Sequence, residues 1–330
     1  MTPPTATATT IPIETWALPA ENLQPQNLQS NYSGLVYLNG WIESNQSWLI
    51  ANGYPIDPIY WQNHHNEIIF SIANQYGIPP LFLKGLIMQE SNGAITPIPR
   101  NLQAGGLVQL APDGADMLFL NPPTNTDVGA YYDLIYKAAR DGGWGYFPEG
   151  LSYLDLVNDP RYTLQAGYIR NITQQIFDGQ CAGWEVIAGH CTDAQNNVPL
   201  LGDANGNVSL GALTLLAAQQ ALTTPDPSGY VIIDPTAWIN LSVEDQWKIT
   251  ALVYKEGIST VRAAIQNAVA ASDRGPIQSW DQVAEQVNLI DADCFPGAEH
   301  PADCGTHYIE QIICYASNMS KQEGNPCGSK

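Results

Sequence analysis

The stretch that most constrains this chain is Pro79-Pro80-Leu81-Phe82-Leu83-Lys84-Gly85-Leu86-Ile87-Met88-Gln89-Glu90-Ser91. Two prolines pre-set the backbone for a first helical turn, and Gly77 is placed to end the preceding apolar run, 68–76. Leu83, Leu86, Ile87 and Glu90 recur at i, i+3, i+4 and i+7, so a carboxylate takes the last place on one apolar helical face. A glutamate so placed has two fates. At a frayed helix end it turns out to solvent; held on the stripe it is desolvated, which favours the protonated form that a general acid needs.

The chain has 330 residues, 45% of them hydrophobic and 13% charged, a globular composition long enough for one large core or two modest ones. No apolar run is long enough to span a membrane. Residues 1–15 form a Thr/Pro-rich stretch without a basic or an apolar signal region, and read as an exposed linker. The formal net charge of −20 argues against nucleic acid as a partner, since phosphates need Lys and Arg. Asn-x-Ser/Thr sequons begin at Asn31, Asn45, Asn171, Asn207, Asn240 and Asn318, and count as acceptors only in a secreted, glycosylated chain.

The six cysteines all lie in the second half, in loop-like sequence, which suggests disulfides and an oxidising compartment. Nearest-neighbour pairing couples Cys181 with Cys191, Cys294 with Cys304 and Cys314 with Cys327, one of many possible connectivities. Zinc is disfavoured because there is no Cys-x-x-Cys pair and the histidines are scattered. We therefore expect no metal.

Along the chain, residues 16–59 read as an irregular N-terminal segment packed on the body. Helical periodicity begins near Trp61. Residues 121–150 carry Tyr131, Tyr132, Tyr136, Trp144, Tyr146 and Phe147 among glycines, a composition able to line a sugar cleft or simply to pack. A disulfide-containing insertion is expected at about 178–240, with an ordinary turn leading into a helix near Gly202–Leu216 rather than a calcium loop, because Ala212 stands where a closing acidic ligand would be needed. Residues 321–330 read as a C-terminal tail.

Three segments together resemble a known family. Glu90-Ser91 is followed by Gly106-Leu107-Val108-Gln109-Leu110-Ala111-Pro112; Asp159-Pro160 introduces a helix-like run containing Gly167; and Ala251-Leu252-Val253-Tyr254-Lys255-Glu256-Gly257 lies further on, ahead of Tyr308. This order resembles the soluble lytic transglycosylase and goose-type lysozyme superfamily. Val108 replaces the usual Met, while Thr163 and Lys255 stand where the family has Asn. The resemblance implies a mainly α, lysozyme-like domain over 60–320. It also implies cleavage of the β-1,4 bond between N-acetylmuramic acid and N-acetylglucosamine in peptidoglycan, outside the cell or in its envelope. Glu90 would be the single acid/base, Ser91, Gln109, Tyr254 and Tyr308 would bind substrate or orient the acid, and no cofactor would be used.

Two other readings stand beside this one. A lysozyme-type hydrolase on peptidoglycan or a chitin-like glycan would need a second carboxylate, for which Asp113, Asp116, Glu149 and Glu256 are the candidates. A non-catalytic glycan-binding or structural protein on the same fold would not need Glu90 at all. The oligomeric state is not encoded in any pattern here.

Overall fold

The computed structural model describes residues 14–51, 53–93, 107–109, 161, 204–225, 229–272, 275–295, 298, 304–319 and 327. They form a mainly α fold, and among them there is no strand. The helices in chain order are α1 (Val36–Ala51), α2 (Pro58–Asn63), α3 (Asn66–Tyr76), α4 (Pro80–Ser91), α5 (Ala204–Thr223), α6 (Pro235–Asn240), α7 (Val243–Ala271), α8 (Trp280–Ile290) and α9 (Gly305–Asn318). Among the described residues no helix is long and apolar enough to cross a membrane.

Helix α4 is the axis of the structure. Gly77 ends α3 in the left-handed region, with φ 68° and ψ 25°, and Pro80 occupies the first turn of α4. Periodicity alone predicts one buried face. The structure instead buries every residue from Pro80 to Gln89 and also Ser91, leaving Glu90 half-buried. The reason is enclosure, since α9, α3 and the 3-10 turns Thr15–Ala17 and Pro25–Leu28 all pack around α4. A helix that is apolar all round belongs in a core.

Individual contacts show how tight this is. A Cβ on Gly85 would lie 2.5 Å from the Ile312 carbonyl oxygen, so α9 can approach α4 only because residue 85 has no side chain. Phe82 packs on Trp16, with ring centroids 5.9 Å apart, and on Trp247, at 5.4 Å. The fully buried Lys84 donates to the Gln62 carbonyl and, over 2.8 Å, to Asn66 Oδ1. Both acceptors are neutral. Burial pushes the Lys84 amine down from 10.5 to about 7.

The N-terminal segment packs on the body through Trp16, Leu23, Leu28 and Tyr32, all buried. Its backbone is fixed there by a reciprocal pair: the Tyr32 N–H donates to Gln62 Oε1 over 3.0 Å, and Gln62 Nε2 donates to the Tyr32 carbonyl over 2.7 Å. The segment also contains α1, whose buried stripe of Leu38, Trp41, Ile42 and Leu49 is interrupted at Asn45. The Asn45 side chain donates to the Trp41 carbonyl, 2.8 Å away, which satisfies the interruption locally.

Helix α5 falls inside the expected insertion, yet Val208, Ala212, Leu213, Leu215, Ala217, Ala218 and Leu222 are core residues packed toward α3 and α7. The helix expected near Gly202–Leu216 is present from Ala204, while the turn expected before it lies outside the described residues. Two of the expected disulfides are present, Cys294–Cys304 and Cys314–Cys327, with Cα atoms 4.7 Å and 5.7 Å apart. Cys181 and Cys191 lie outside the described residues, as do Thr163, Asp113, Asp116, Glu149 and the aromatic stretch 121–150.

Candidate active site

Four segments far apart in the chain converge at the C-terminal end of α4. Asn92 ends that helix in the left-handed region, φ 54°, with its N–H on the Met88 carbonyl, and this cap sets the last turn in which Glu90 sits. The Tyr308 hydroxyl, from the first turns of α9, donates to Glu90 Oε1. Leu107, Val108 and Gln109 form a short turn beneath them, with Leu107 and Val108 fully buried and Gln109 in a left-handed conformation, φ 46°.

That turn is held from three sides. The Ser91 hydroxyl donates to the Leu107 carbonyl over 2.7 Å, the Tyr254 hydroxyl donates to the Val108 carbonyl over 2.6 Å, and the Val108 N–H donates to Asn207 Oδ1 over 2.9 Å. Ser91 is buried and its second acceptor is the Ile87 carbonyl at 3.2 Å. The expectation of a Ser91 hydroxyl turned to Glu90 or to a sugar therefore gives way to a different role. It ties the end of α4 to the 107–109 turn.

The electrostatics keep both phenols protonated. Burial, and next the negative charge of Glu90, push the Tyr254 hydroxyl well above its usual 10. Tyr308 is raised well above 10 by burial first, then by Glu90, by Tyr254, by its hydrogen bond to Glu90 and by the charge of Glu256. Each is thus a fixed donor at any pH the protein would meet. The Lys255 ammonium lies over the Tyr308 ring, 5.5 Å from its centroid. Gly257 follows with φ 76° and ψ 161°, breaking α7 into two helical stretches just after this cluster. That conformation favours glycine.

Of the four acidic candidates for a second carboxylate, Glu256 is within the described residues. A Cβ built on Gly305 would lie 2.8 Å from Glu256 Cγ and 2.8 Å from Leu252 Cδ1, so the first turn of α9 rests directly on α7. Glu256 is therefore packed at the foot of the helix that carries Tyr308.

Sequence reasoning missed two contributors on α5. Asn207 was a glycosylation candidate, but it is 1% exposed and accepts the Val108 N–H, so in the folded chain it supports the site instead. A Cβ on Gly211 would lie 2.8 Å from both Val108 γ-carbons, which makes this glycine the floor under Val108. The i, i+4 spacing of Asn207 and Gly211 put both on one helical face, a signal visible in sequence but unreadable without knowing what the face met.

One grouping among the described residues has metal-ligand spacing, Asp291 with Cys294 and Cys304. Those two sulfurs are bonded to each other, so neither is a thiolate. Asp291 instead orders the loop, accepting the Gly305 N–H over 3.1 Å and the Asp293 N–H over 3.0 Å. No protein-family model, curated protein or solved structure matches the chain.

Proposed function

We propose that this protein is a secreted or envelope-located glycan-cleaving enzyme of the lytic transglycosylase type. Its acid/base is Glu90, and it acts on the β-1,4 bond between N-acetylmuramic acid and N-acetylglucosamine. The observation that carries the reading is the Tyr308 hydroxyl donating to a half-buried Glu90 at the rim of an otherwise buried helix. Tyr308 stays protonated and so remains a donor to that carboxylate, while Tyr254, also protonated, donates to the Val108 carbonyl beside it. An acid that gives up a proton and then bears the charge is stabilised by such a donor at the moment the charge forms.

The steps follow from ordinary bond chemistry. Glycosidic cleavage needs a proton on the leaving oxygen, because an alkoxide leaves poorly. Glu90 delivers it to the oxygen of the departing glucosamine, and positive charge develops at C1 of the muramyl ring. The carboxylate so formed is stabilised where it stands by the Tyr308 donor, an interaction stronger for the ion than for the acid. It then takes the proton of the muramyl 6-hydroxyl as that oxygen closes on C1, giving a 1,6-anhydro ring. Glu90 ends protonated, no water is consumed, and one carboxylate suffices.

The neighbouring polar side chains serve the same end indirectly. Ser91, Tyr254 and Asn207 hold the backbone of Leu107 and Val108, the turn that leads into Gln109. The two disulfides fit an oxidising compartment, which is what a wall-acting enzyme would need.

Mass spectrometry of the soluble products from purified peptidoglycan tests the reading. Wild type should release anhydromuramyl products and Glu90→Gln none. Products heavier by one water would make it a hydrolase instead. Undiminished turnover by Glu90→Gln would remove Glu90 from the mechanism.

A further inference from the structure

The first turn of α9, the helix that carries Tyr308, is fixed from outside that helix. Its cap residue, Cys304, makes no side-chain hydrogen bond to the opening N–H groups, and its sulfur is bonded to Cys294 instead. The Gly305 N–H is taken up by Asp291 Oδ2, 3.1 Å away and 14 residues earlier in the chain. Asp291 Oδ1 accepts the Asp293 N–H over 3.0 Å, so both oxygens of this buried side chain are engaged. Next in α9, the Thr306 hydroxyl donates to Asn288 Oδ1 on α8 over 2.7 Å.

Asp291 stands at the C-terminal end of α8, with its own N–H on the Val287 carbonyl. A carboxylate is disfavoured at that end of a helix and favoured at the other. Its electrostatic place is thus the start of α9 rather than the end of α8. The Cys294 sulfur lies 3.2 Å from Oδ2, and the Cys294–Cys304 bridge closes the same loop. On the opposite side Gly305 rests against Leu252 and Glu256 of α7, with no room for a Cβ. One turn on, the Tyr308 N–H donates to the Cys304 carbonyl over 2.9 Å and its hydroxyl donates to Glu90 Oε1. Any slide or rotation of this first turn moves that hydroxyl with it, and a hydrogen bond weakens steeply as its alignment is lost.

We infer that Asp291 is a positioning residue: it caps α9 from the end of α8 and so sets the register at which the Tyr308 hydroxyl meets Glu90. Its consequence for the reaction rests on the glycosidase reading above. Asp291 acts through Tyr308 and has no part in the bond chemistry. Each of its oxygens serves a different N–H, so an asparagine, with one acceptor oxygen, cannot replace it in full.

NMR of the protein with tyrosine isotopically labelled at Cζ reads the Tyr308–Glu90 contact without any substrate, the Tyr308 signal being identified by its absence from Tyr308→Phe. Glu90→Gln should move that signal in the otherwise wild-type protein and move it far less in Asp291→Ala. Asp291→Asn keeps the volume and one acceptor, should show the same loss in milder form, and replaces Asp291→Ala if that variant does not fold. On purified peptidoglycan, Asp291→Asn should lower kcat/KM roughly three- to tenfold, less than removal of the donor itself, and by under about twofold when added to Tyr308→Phe. A residue that only supports the fold would lower both backgrounds alike and leave the response of Tyr308 to Glu90→Gln intact. Either result would overturn the inference. Loss of that response in the Asp291 variants, together with no cleavage by wild type, would uphold Asp291 as the residue that positions Tyr308 and overturn the glycosidase reading alone.

Discussion

Lys84 offers the sharpest test of the fold around the site, because it puts a titratable amine inside the helix that carries Glu90. Its amine is fully buried, its acceptors are the neutral Gln62 carbonyl and Asn66 Oδ1, and burial lowers it from 10.5 to about 7. The sign follows from proton counting. Between those two values the unfolded chain binds a proton on Lys84 that the folded chain does not, so stability rises with pH across the window and is lost as pH falls toward 7. The slope is about 1.4 kcal/mol per pH unit, or on the order of 2 to 3 kcal/mol between pH 7.5 and 9.5. Among the described residues, the other groups with a resolved shift move away from that window. His65 is buried and lowered from 6.5 to about 3, by burial first and then by His64 and Lys84, so its contribution falls below pH 6.5. Tyr32, Tyr254, Tyr308 and Tyr315 are all raised above 10. A neutral amine keeps two N–H bonds, so both hydrogen bonds survive deprotonation. Urea unfolding followed by tryptophan fluorescence at constant ionic strength reads the slope directly. Wild type should gain stability from pH 7.5 to 9.5 and Lys84→Met should be nearly flat. The same slope in both proteins would refute the assignment.

Three further outcomes follow from the geometry. Tyr308→Phe removes the donor on Glu90 and should lower kcat/KM roughly 10- to 100-fold, the value of a hydrogen bond to a charged group, with little change in melting temperature; unchanged kinetics would mean that the contact is idle. Below about pH 9 the wild-type pH–rate profile should show no limb from either phenol, since both are held well above 10. Gly211→Ala drives a methyl into the stiff β-branched Val108 and should cost about 1 to 3 kcal/mol and most of the activity. Adding Val108→Ala should recover much of both, and additive losses in that double mutant would separate α5 from the site.

The helix of Glu90 was legible because its signals are local. Gly77, the two prolines and the i, i+3, i+4, i+7 spacing lie within one short stretch and each acts on its own backbone. The nearest-neighbour pairing of Cys294 with Cys304 and Cys314 with Cys327 was legible for the same reason. What escaped was enclosure. Nothing local in the sequence marks Lys84 as buried, and only its contacts with Gln62 and Asn66 show an enclosed amine. Likewise Asn207 reads as a sequon until Val108 arrives from 99 positions away to use its oxygen. Helix α1 was hidden by Asn45, a polar residue in the stripe whose satisfaction by the Trp41 carbonyl no periodicity count can see.

Val108 and Lys255, two positions at which the chain departs from the pattern of the family it resembles, differ in how they meet the site. Val108 enters the site through its backbone, with its carbonyl on Tyr254 and its N–H on Asn207, while its side chain only fills the space above Gly211. Any apolar side chain of fitting volume makes the same two hydrogen bonds, so exchanging Met for Val there leaves the wiring intact. Lys255 meets the site through its side chain, with its ammonium 5.5 Å from the centre of the Tyr308 ring. An asparagine at 255 would remove the ammonium from beside the ring whose hydroxyl serves Glu90. The first departure is therefore expected to be silent in the chemistry and the second to be felt through Tyr308. Substituting each in turn, with Val108→Met leaving kcat/KM unchanged and Lys255→Asn lowering it roughly two- to fivefold, the value of a partly exposed cation–π contact, separates backbone support from side-chain support within one assay.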